Sequence, residues 1–260
     1  MALRFDILTL FPSMLRAVLS ESIPRIAEEK GAVEYHLHNF RDNAEGVHQA
    51  VDDRPYGGGA GMVLKPEPIF RTIRQVQPLV EQTAHMVLLS PQGRVFNQAV
   101  AQELAAKPRI LMLCGRYEGF DERVRQGFEW DEISIGDYVL SGGELPALVI
   151  TDAIVRLLPG VLGDDASAEH DSFGPGLEGR LLEYPHYTRP VEFEGMRVPE
   201  VLQSGHHGEL AKWRLEQARK QPKERRPELL DESGGRSRRQ RVTRAPHQGK
   251  EPERRRTRTR

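Results

Sequence analysis

The sequence predicts an α/β fold in which helices cover both faces of a mostly parallel β-sheet. Residues 1–160 alternate between short runs of β-forming residues and segments whose apolar residues recur at helical spacing. The runs at residues 85–89 and 109–114 are mostly apolar, as is typical of parallel strands buried on both faces. The composition then changes, and residues 233–260 contain no Leu, Ile, Met or aromatic residue. We therefore expect a sheet-based domain, a smaller unit and a tail without a core.

The first elements follow from local patterns. Residues 5–11 predict a strand that stops at Pro12, since proline cannot continue the ladder. Residues 14–29 have helical spacing, with Pro24 at a point where the helix ends or restarts. Residues 33–40 alternate as a second strand does.

The next elements repeat this alternation. The apolar run at residues 85–89 predicts a strand that ends at residues 90–93. Residues 97–106 then predict a helix, and residues 109–114 predict a third buried strand. Residues 147–158 are again helical, which completes the elements expected for a sheet covered on both faces.

These patterns divide the chain into four parts. The main α/β domain is followed by a linker rich in Gly, Asp and Ser, and then by a small helical domain with a helix at residues 209–219. The last part cannot bury enough apolar surface to offset its ordering entropy, so we expect a disordered tail. The predicted parts are residues 1–162, 163–180, 181–232 and 233–260.

Composition excludes several classes of protein. No apolar run approaches the ~20 residues of a membrane span, and the first residues lack the layout of a signal peptide. The single cysteine, Cys114, excludes an intrachain disulfide framework and a Cys-rich zinc site, so we expect a cytoplasmic protein without a membrane partner. The sequence also lacks the phosphate-loop, dinucleotide-binding, HExxH and serine nucleophile-elbow motifs.

The formal net charge of −1 hides a split between an acidic main part and a basic tail. Residues 233–260 carry 11 Lys and Arg against 2 Asp and Glu. Two interpretations stay open. The tail is either a solvated appendage that aids solubility or an arm that binds nucleic acid by releasing counterions.

Glycine marks three segments, residues 52–62, 114–119 and 135–146. Glycine permits a positive φ and lets the backbone approach a ligand closely. Tight turns alone would explain one such segment, but three of them favour a shared ligand site. Ligands bind beyond the carboxyl ends of parallel strands, which here are expected at residues 90–93 and 115–119.

These segments resemble the bacterial tRNA (guanine-N1)-methyltransferases of the TrmD type. The resemblance runs from about residue 5 to residue 230 and is carried by DDRPYGGGAGM, LLSPQG, CGRYEGFDERV, SIGDYVLSGGELPALVITDAIVRLLPGVLG, DSF and PHYTRP. It implies a SPOUT-class fold, with a deep trefoil knot in the domain of residues 1–162, and a homodimer with each active site at the subunit interface. It also implies S-adenosyl-L-methionine as methyl donor and, as substrate, the tRNA guanosine just 3′ of the anticodon, methylated at N1.

The resemblance places the methyl donor in the loops that the glycines mark. The cofactor would lie mostly against backbone groups, with Tyr117 packed beside it. Glu118, as a carboxylate near a sulfonium, would act electrostatically or hold a metal through water. The residues implied for this site are Leu88, Ser90, Pro91, Gly115, Tyr117, Glu118, Ile135, Gly136, Asp137, Tyr138, Val139, Leu140 and Gly142.

Guanine N1 carries a proton, so methylation there needs a general base beside N1 and a cation or N–H group near O6. Asp171 matches the position that the family uses as base, although an Asp in a loop is otherwise most often a cap or turn residue. Arg156 lies in an otherwise apolar helix, where a buried guanidinium needs a carboxylate or substrate partner. By resemblance it acts with Asp171.

The tRNA would contact the chain outside the cofactor loops. The residues expected to meet the tRNA or the partner subunit are Asp52, Asp53 and Arg54, and Arg189 is expected to supply positive charge for contacts with tRNA phosphates. The family is described as Mg²⁺-dependent, which makes Mg²⁺ a second expected cofactor, although no dedicated all-protein metal cage is visible in the sequence.

The sequence departs from the family after residue 230, where the family usually continues with apolar helical segments and this chain becomes Arg-rich. The helical tRNA-binding domain is therefore expected to be shortened. Two further interpretations stay open: a knotted methyltransferase that acts on another RNA, and a non-catalytic RNA-binding protein of the same fold. The presence of both Asp171 and Arg156 argues against the second.

Overall fold

The computed structural model describes residues 2–163 and 171–230. Its centre is a five-stranded sheet in which every pairing is parallel and the strand order is β2-β1-β6-β5-β7. The expected α/β architecture with a parallel sheet is therefore confirmed. The strands of this sheet are β1 (Leu3–Thr9), β2 (Val33–Asn39), β5 (His85–Val95), β6 (Arg109–Leu113) and β7 (Asp131–Ser134).

Helices cover both faces of the sheet, because its strands alternate apolar side chains between two cores. In β6, Ile110 and Met112 point into one core, whereas Leu111 and Leu113 point into the other. The first core is closed by α1 (Pro12–Leu19), α2 (Ser22–Glu29), α4 (Gln98–Ala105) and α6 (Glu144–Val155). The second core is closed by α3 (Pro66–Val76) and α5 (Glu122–Gln126).

The predicted helix at residues 14–29 is two helices, α1 and α2. The break lies before Ser22, whose φ of 50° is left-handed, and not at Pro24. Pro24 lies in the first turn of α2, where its missing N–H costs no helical hydrogen bond. Pro12 likewise opens α1.

The prediction that the strand from residue 85 ends at residues 90–93 was wrong. β5 continues to Val95, and both Leu89 and Arg94 pair with Ile133 in β7. Residues 90–93 therefore form a bulge out of the ladder. A Cβ at Gly93 would lie 2.3 Å from the backbone of Glu132, so the bulge requires glycine at this position.

Smaller elements complete the described chain. β3 (Asp52–Asp53) and β4 (Val63–Leu64) form an antiparallel pair, as do β8 (Glu192–Phe193) and β9 (Met196–Arg197). The last helix, α7 (His207–Arg225), packs through Ala218 against Leu177 and Leu181. Leu177 thus contacts the small unit although the sequence analysis assigned it to the linker. The predicted disordered tail and residues 164–170 of the predicted linker lie outside the described residues, and the domain boundaries stay a prediction.

No helix within the described ranges is long and apolar enough to cross a membrane. A cluster of charged residues is buried in the interior of the sheet around Asp6. Asp6 in β1 is fully buried and accepts hydrogen bonds from Arg109 at 2.8 Å and from Arg4 at 2.9 Å, and His38 Nε2 lies 2.8 Å from its other oxygen. Burial alone would raise the pKa of the Asp6 carboxyl, but the bonds from His38, Arg4 and Arg109 outweigh burial and hold this pKa well below its usual range.

We expect Asp6→Asn to lower the free energy of unfolding at pH 7 by about 3 to 5 kcal/mol, because it leaves the Arg109 guanidinium buried without its anion. A lowered carboxyl pKa stabilises the fold above the unfolded value of about 4, and this contribution is lost as the pH falls towards the folded value. Urea unfolding between pH 7 and pH 3 should therefore show a smaller loss of stability with acid in Asp6→Asn than in the wild type. Equal stabilities at pH 7 would contradict the assignment.

Candidate active site

The carboxyl ends of β6 and β7 and the bulge in β5 surround a cavity of about 350 Å³. This is the edge at which parallel sheets bind ligands. The loop after β6 forms one side, the loop between β7 and α6 forms another, and residues 90–93 form a third. The glycine-marked segments after β6 and β7 therefore do share one cavity.

The cavity gathers the predicted cofactor residues with two exceptions. Those that line it are Ser90, Pro91, Gly115, Tyr117, Glu118, Ile135, Gly136, Tyr138, Val139, Leu140 and Gly142. Leu88 does not line it, because its side chain is fully buried in the core beneath α3 and α5. Its neighbour Leu89 points to the other face of the sheet and reaches the cavity instead. Asp137 lies in the loop but is exposed and does not line the cavity.

Glycines shape this cavity in two ways. Gly136 has a φ of +144°, a conformation that residues with a side chain rarely adopt, and a Cβ there would lie 2.6 Å from the Tyr138 ring. A Cβ at Gly115 would lie 2.8 Å from the Phe120 ring. Both glycines therefore leave backbone exposed to the cavity where any side chain would intrude.

Sequence reasoning missed several lining residues, of which Arg125 is the most notable. Its guanidinium comes from α5 and donates to Ser90 Oγ at 3.0 Å and to Glu132 at 3.1 Å. The short α5 carries no motif that marks this residue, and only the packing of α5 beside the bulge brings it to the cavity. Leu89 could have been predicted from the sequence, because neighbouring side chains in a strand point to opposite faces and Leu88 was already placed in this strand.

The third glycine-marked segment, residues 52–62, contributes no residue to the lining of this cavity but lies against the loop after β6. The β3–β4 pair is fastened to the loop after β6, because Leu64 N donates to Gly119 O at 2.9 Å and Glu118 N donates to Met62 O at 3.0 Å. Asp52, Asp53 and Arg54 lie in and after β3, and none of them lines the cavity. Arg189 is exposed in a separate loop and does not line this cavity.

Arg156 and Asp171 meet in a second cavity of about 480 Å³. Arg156 Nη2 donates to Asp171 Oδ2 at 2.5 Å. The expectation that Arg156 is buried was wrong, because it ends α6 at the surface and its side chain is 43% exposed. Its expected carboxylate partner is present nonetheless. Asp171 also begins a turn, because its backbone carbonyl accepts a hydrogen bond from Gly174 N at 2.8 Å.

Among residues 2–163 and 171–230, the two cavities share no lining residue. The second is lined by Gln98, Asp152, Ala153, Arg156, Leu157, Asp171, Ser172, Phe173 and Glu183. The Asp171–Arg156 pair and the glycine-lined cavity are therefore separate features of a single protomer.

The described residues give no support to the expected Mg²⁺. Within residues 2–163 and 171–230, no group of three or more His, Cys, Asp or Glu side chains is arranged to hold a metal ion. Glu118 contributes to the cavity as a single carboxylate.

Cys114, the last apolar residue before the Gly115 loop, is fully buried. Burial raises the pKa of its thiol well above the usual value, and the neighbouring Glu144 carboxylate raises it further. The thiol is therefore a packing group and not a nucleophile.

A parallel sheet with a glycine-lined cavity at its carboxyl edge is typical of the class of α/β proteins that bind a small ligand there. The sequence profile of the family described as tRNA (Guanine-1)-methyltransferase TrmD matches residues 3–232. The chain belongs to this family and is a methyltransferase.

Curated relatives agree with this assignment. The chain is 55% identical over 230 residues to the tRNA (guanine-N(1)-)-methyltransferase of Geobacillus kaustophilus, covering 88% of this chain and 92% of the relative. It is 52% identical to that of Dehalococcoides mccartyi, covering 88% and 91%, and 53% identical to that of Chloroflexus aggregans, covering 88% of each. The Arg-rich residues after 232 lie outside the family match.

Proposed function

We propose that this protein transfers a methyl group from S-adenosyl-L-methionine to N1 of the guanosine just 3′ of the anticodon in tRNA. The observation that carries the proposal is the cavity at the carboxyl edge of the sheet, lined by the family's loops. The names of the relatives support guanine N1 in tRNA as the target. Its position beside the anticodon rests on the family resemblance.

The residues of this cavity fit the proposed cofactor. Its volume of about 350 Å³ lies within the ~300–1,000 Å³ of small-molecule sites. Gly115, Gly136 and Gly142 let a ligand approach the loop backbone closely, and Leu89 and Val139 offer apolar surface. The carboxylate of Glu118 suits a cationic sulfonium. When bound, the cofactor supplies an activated methyl group, and the chain holds and orients it.

Asp171 is the proposed general base. A carboxylate accepts the N1 proton only in its anionic form, and the Arg156 guanidinium at 2.5 Å pairs with that form. The same guanidinium stands ready to stabilise the negative charge that develops on guanine as the proton leaves. Both side chains are partly exposed, at 43% and 37%, so an RNA base can reach them.

The proposed active form is a homodimer in which Asp171 of one protomer faces the cofactor cavity of the other. This is supported by the separation of the two cavities within one chain. It is also supported by an apolar face formed by Phe11, which precedes α1, by Val18 of α1, and by Leu145 and Val149 of the adjoining α6. These four side chains are between 44% and 49% exposed. Such a face is stabilised when a second copy covers it. A trefoil knot in the loops around the cofactor cavity is part of the proposal and rests on family membership.

The test is to map the modified nucleoside in tRNA that has been incubated with the purified protein and the labelled cofactor. N1-methylguanosine on the 3′ side of the anticodon is the expected product. A different modified base would favour the alternative of a knotted methyltransferase that acts elsewhere on RNA. Binding of tRNA without any methylation would favour a non-catalytic RNA-binding protein.

We expect the basic tail to raise tRNA affinity without specifying the base. Residues 233–260 carry 11 Lys and Arg and no aromatic residue for stacking, so their binding energy comes mainly from counterion release. Deletion of these residues should weaken tRNA binding, flatten its dependence on salt and leave the modified nucleoside unchanged. A salt dependence as steep as that of the full chain would identify the tail as a solubilising appendage.

A further inference from the structure

Glu144, the first residue of α6, is a fully buried carboxylate that directly follows the cavity-lining residue Gly143. A buried carboxylate is costly unless partners satisfy both oxygens. Here Oε1 accepts a hydrogen bond from Thr9 Oγ1 at 2.8 Å, and Oε2 accepts one from Arg116 Nε at 2.9 Å. Its position in the first turn of a helix also favours the negative charge.

Arg116 connects the buried Glu144 carboxylate to the loops that line the cavity. Its Nη1 donates to Ser141 O at 3.3 Å, and its guanidinium lies 4.5 Å from the centre of the Phe11 ring. A Cβ at Gly142 would lie 2.3 Å from Arg116 Nε, so the glycine makes room for the side chain. The loop at residues 115–119 is thereby fastened to the loop that precedes α6.

A backbone contact reinforces the same junction. Gly143 N donates to Gly115 O at 2.8 Å, and a Cβ at Gly143 would lie 2.7 Å from the Cα of Cys114. The two loops therefore meet without a gap. Thr9 belongs to β1, so this junction is tied to the rigid centre of the sheet.

We propose that Thr9, Arg116 and Glu144 form a latch that holds the two loops in the arrangement that binds the cofactor. Glu144 does not line the cavity and acts only through Arg116 and the loop backbone, so it is a positioning residue. Arg116 lines the cavity and also packs against the Phe11 ring, which belongs to the exposed apolar face beside α1 and α6. The proposal rests on the proposed cofactor and adds residues that order its site before it binds.

The chain offers a matched control for the loss of a buried ion pair. Asp6 and Arg109 pair at 2.8 Å with both side chains fully buried, and Asp6 lies in the same strand as Thr9. Asp6 and Arg109 do not line the cofactor cavity. Any effect that comes from general destabilisation should therefore appear in Asp6→Asn as well as in Glu144→Gln.

The experiment compares the full-length wild type with Glu144→Gln, Arg116→Lys and Asp6→Asn at a temperature at which each is folded. Calorimetry with S-adenosyl-L-methionine, without tRNA, should show that Glu144→Gln weakens binding about tenfold to a hundredfold, the range for loss of a charged hydrogen bond. Asp6→Asn should leave the affinity within about twofold. The side chain of Arg116 is partly exposed, so Arg116→Lys is expected to disturb folding less than Glu144→Gln does. Arg116→Lys should also weaken cofactor binding, because lysine lacks the planar fork of the guanidinium.

Hydrogen exchange without cofactor gives an independent measure. The amides of residues 115–119 and 139–143 should exchange faster in Glu144→Gln than in Asp6→Asn. If the wild type does not bind the cofactor, the proposed function fails, whereas faster exchange of these loops still supports the latch. The latch is overturned if Glu144→Gln matches Asp6→Asn in both affinity and loop exchange. It is overturned equally if Arg116→Lys leaves both quantities as in the wild type.

Discussion

Replacing Asp171 by asparagine is expected to lower the rate of methyl transfer about 10²–10⁴-fold, the usual contribution of a general base. Asparagine keeps the size of the side chain and can still accept a hydrogen bond from Arg156, but it cannot take the N1 proton. Single-turnover methylation of tRNA measures this rate directly. Raising the pH should not restore it fully, because N1 would still lack a positioned acceptor.

The cofactor affinity of Asp171→Asn should be almost unchanged, since the glycine-marked loops after β6 and β7 form the cofactor cavity. Arg156→Lys should also be slow, because lysine keeps the charge but loses the planar fork. Glu178→Gln controls for the loss of an exposed carboxylate–arginine pair. Glu178 accepts a hydrogen bond from Arg219 at 3.2 Å, but it lines neither cavity. Near wild-type methylation by Asp171→Asn would mean that the base is another residue.

Replacing Gly136 by valine is expected to abolish binding of S-adenosyl-L-methionine. The φ of +144° excludes a β-branched residue, and the new Cβ would lie 2.6 Å from the Tyr138 ring, so the loop must rearrange. Calorimetry without tRNA should then detect no binding. Gly115→Val should act in the same direction by displacing the Phe120 ring, 2.8 Å from the new Cβ.

Gly208→Val provides the control for these glycine variants. Gly208 lies in the first turn of α7, and no heavy atom stands within 4 Å of a Cβ built there. This variant should bind the cofactor as the wild type does. Full affinity in both Gly136→Val and Gly115→Val would show that the cofactor binds elsewhere.

Four of the five strands of the sheet could be predicted from the sequence, because they are mostly apolar runs or, in β2, an alternating pattern. The fifth, β7, is a short polar segment (DEIS) and was not predicted. Residues 109–114 and 33–40 became β6 and β2 with bounds close to those expected. The continuation of β5 beyond residue 90 could not be predicted. Ser90 and Pro91 have the local character of a strand end, and only pairing with β7 resumes the strand at Arg94.

The candidate sites were predictable to different degrees. Glycine marks two of the loops around the cofactor cavity, and of the residues that the resemblance implied all but Leu88 and Asp137 line it, although lining residues such as Arg125 were missed. Glu144 was missed, because a glutamate at the start of a helix most often caps or faces solvent. Its burial becomes visible only when Thr9 and Arg116, distant in sequence, close around it.

The sequence alone determined the α/β class of the chain, the positions of the glycine-rich loops and the family that the chain resembles. These three properties depend on local composition and on the order of residues along the chain. Tertiary structure decided which loops meet. It brought residues 90–93, 115–119 and 135–143 around one cavity, and it paired Arg156 with Asp171 in another. The physical reason is that the carboxyl ends of parallel strands gather at one edge of the sheet, whatever their separation along the chain.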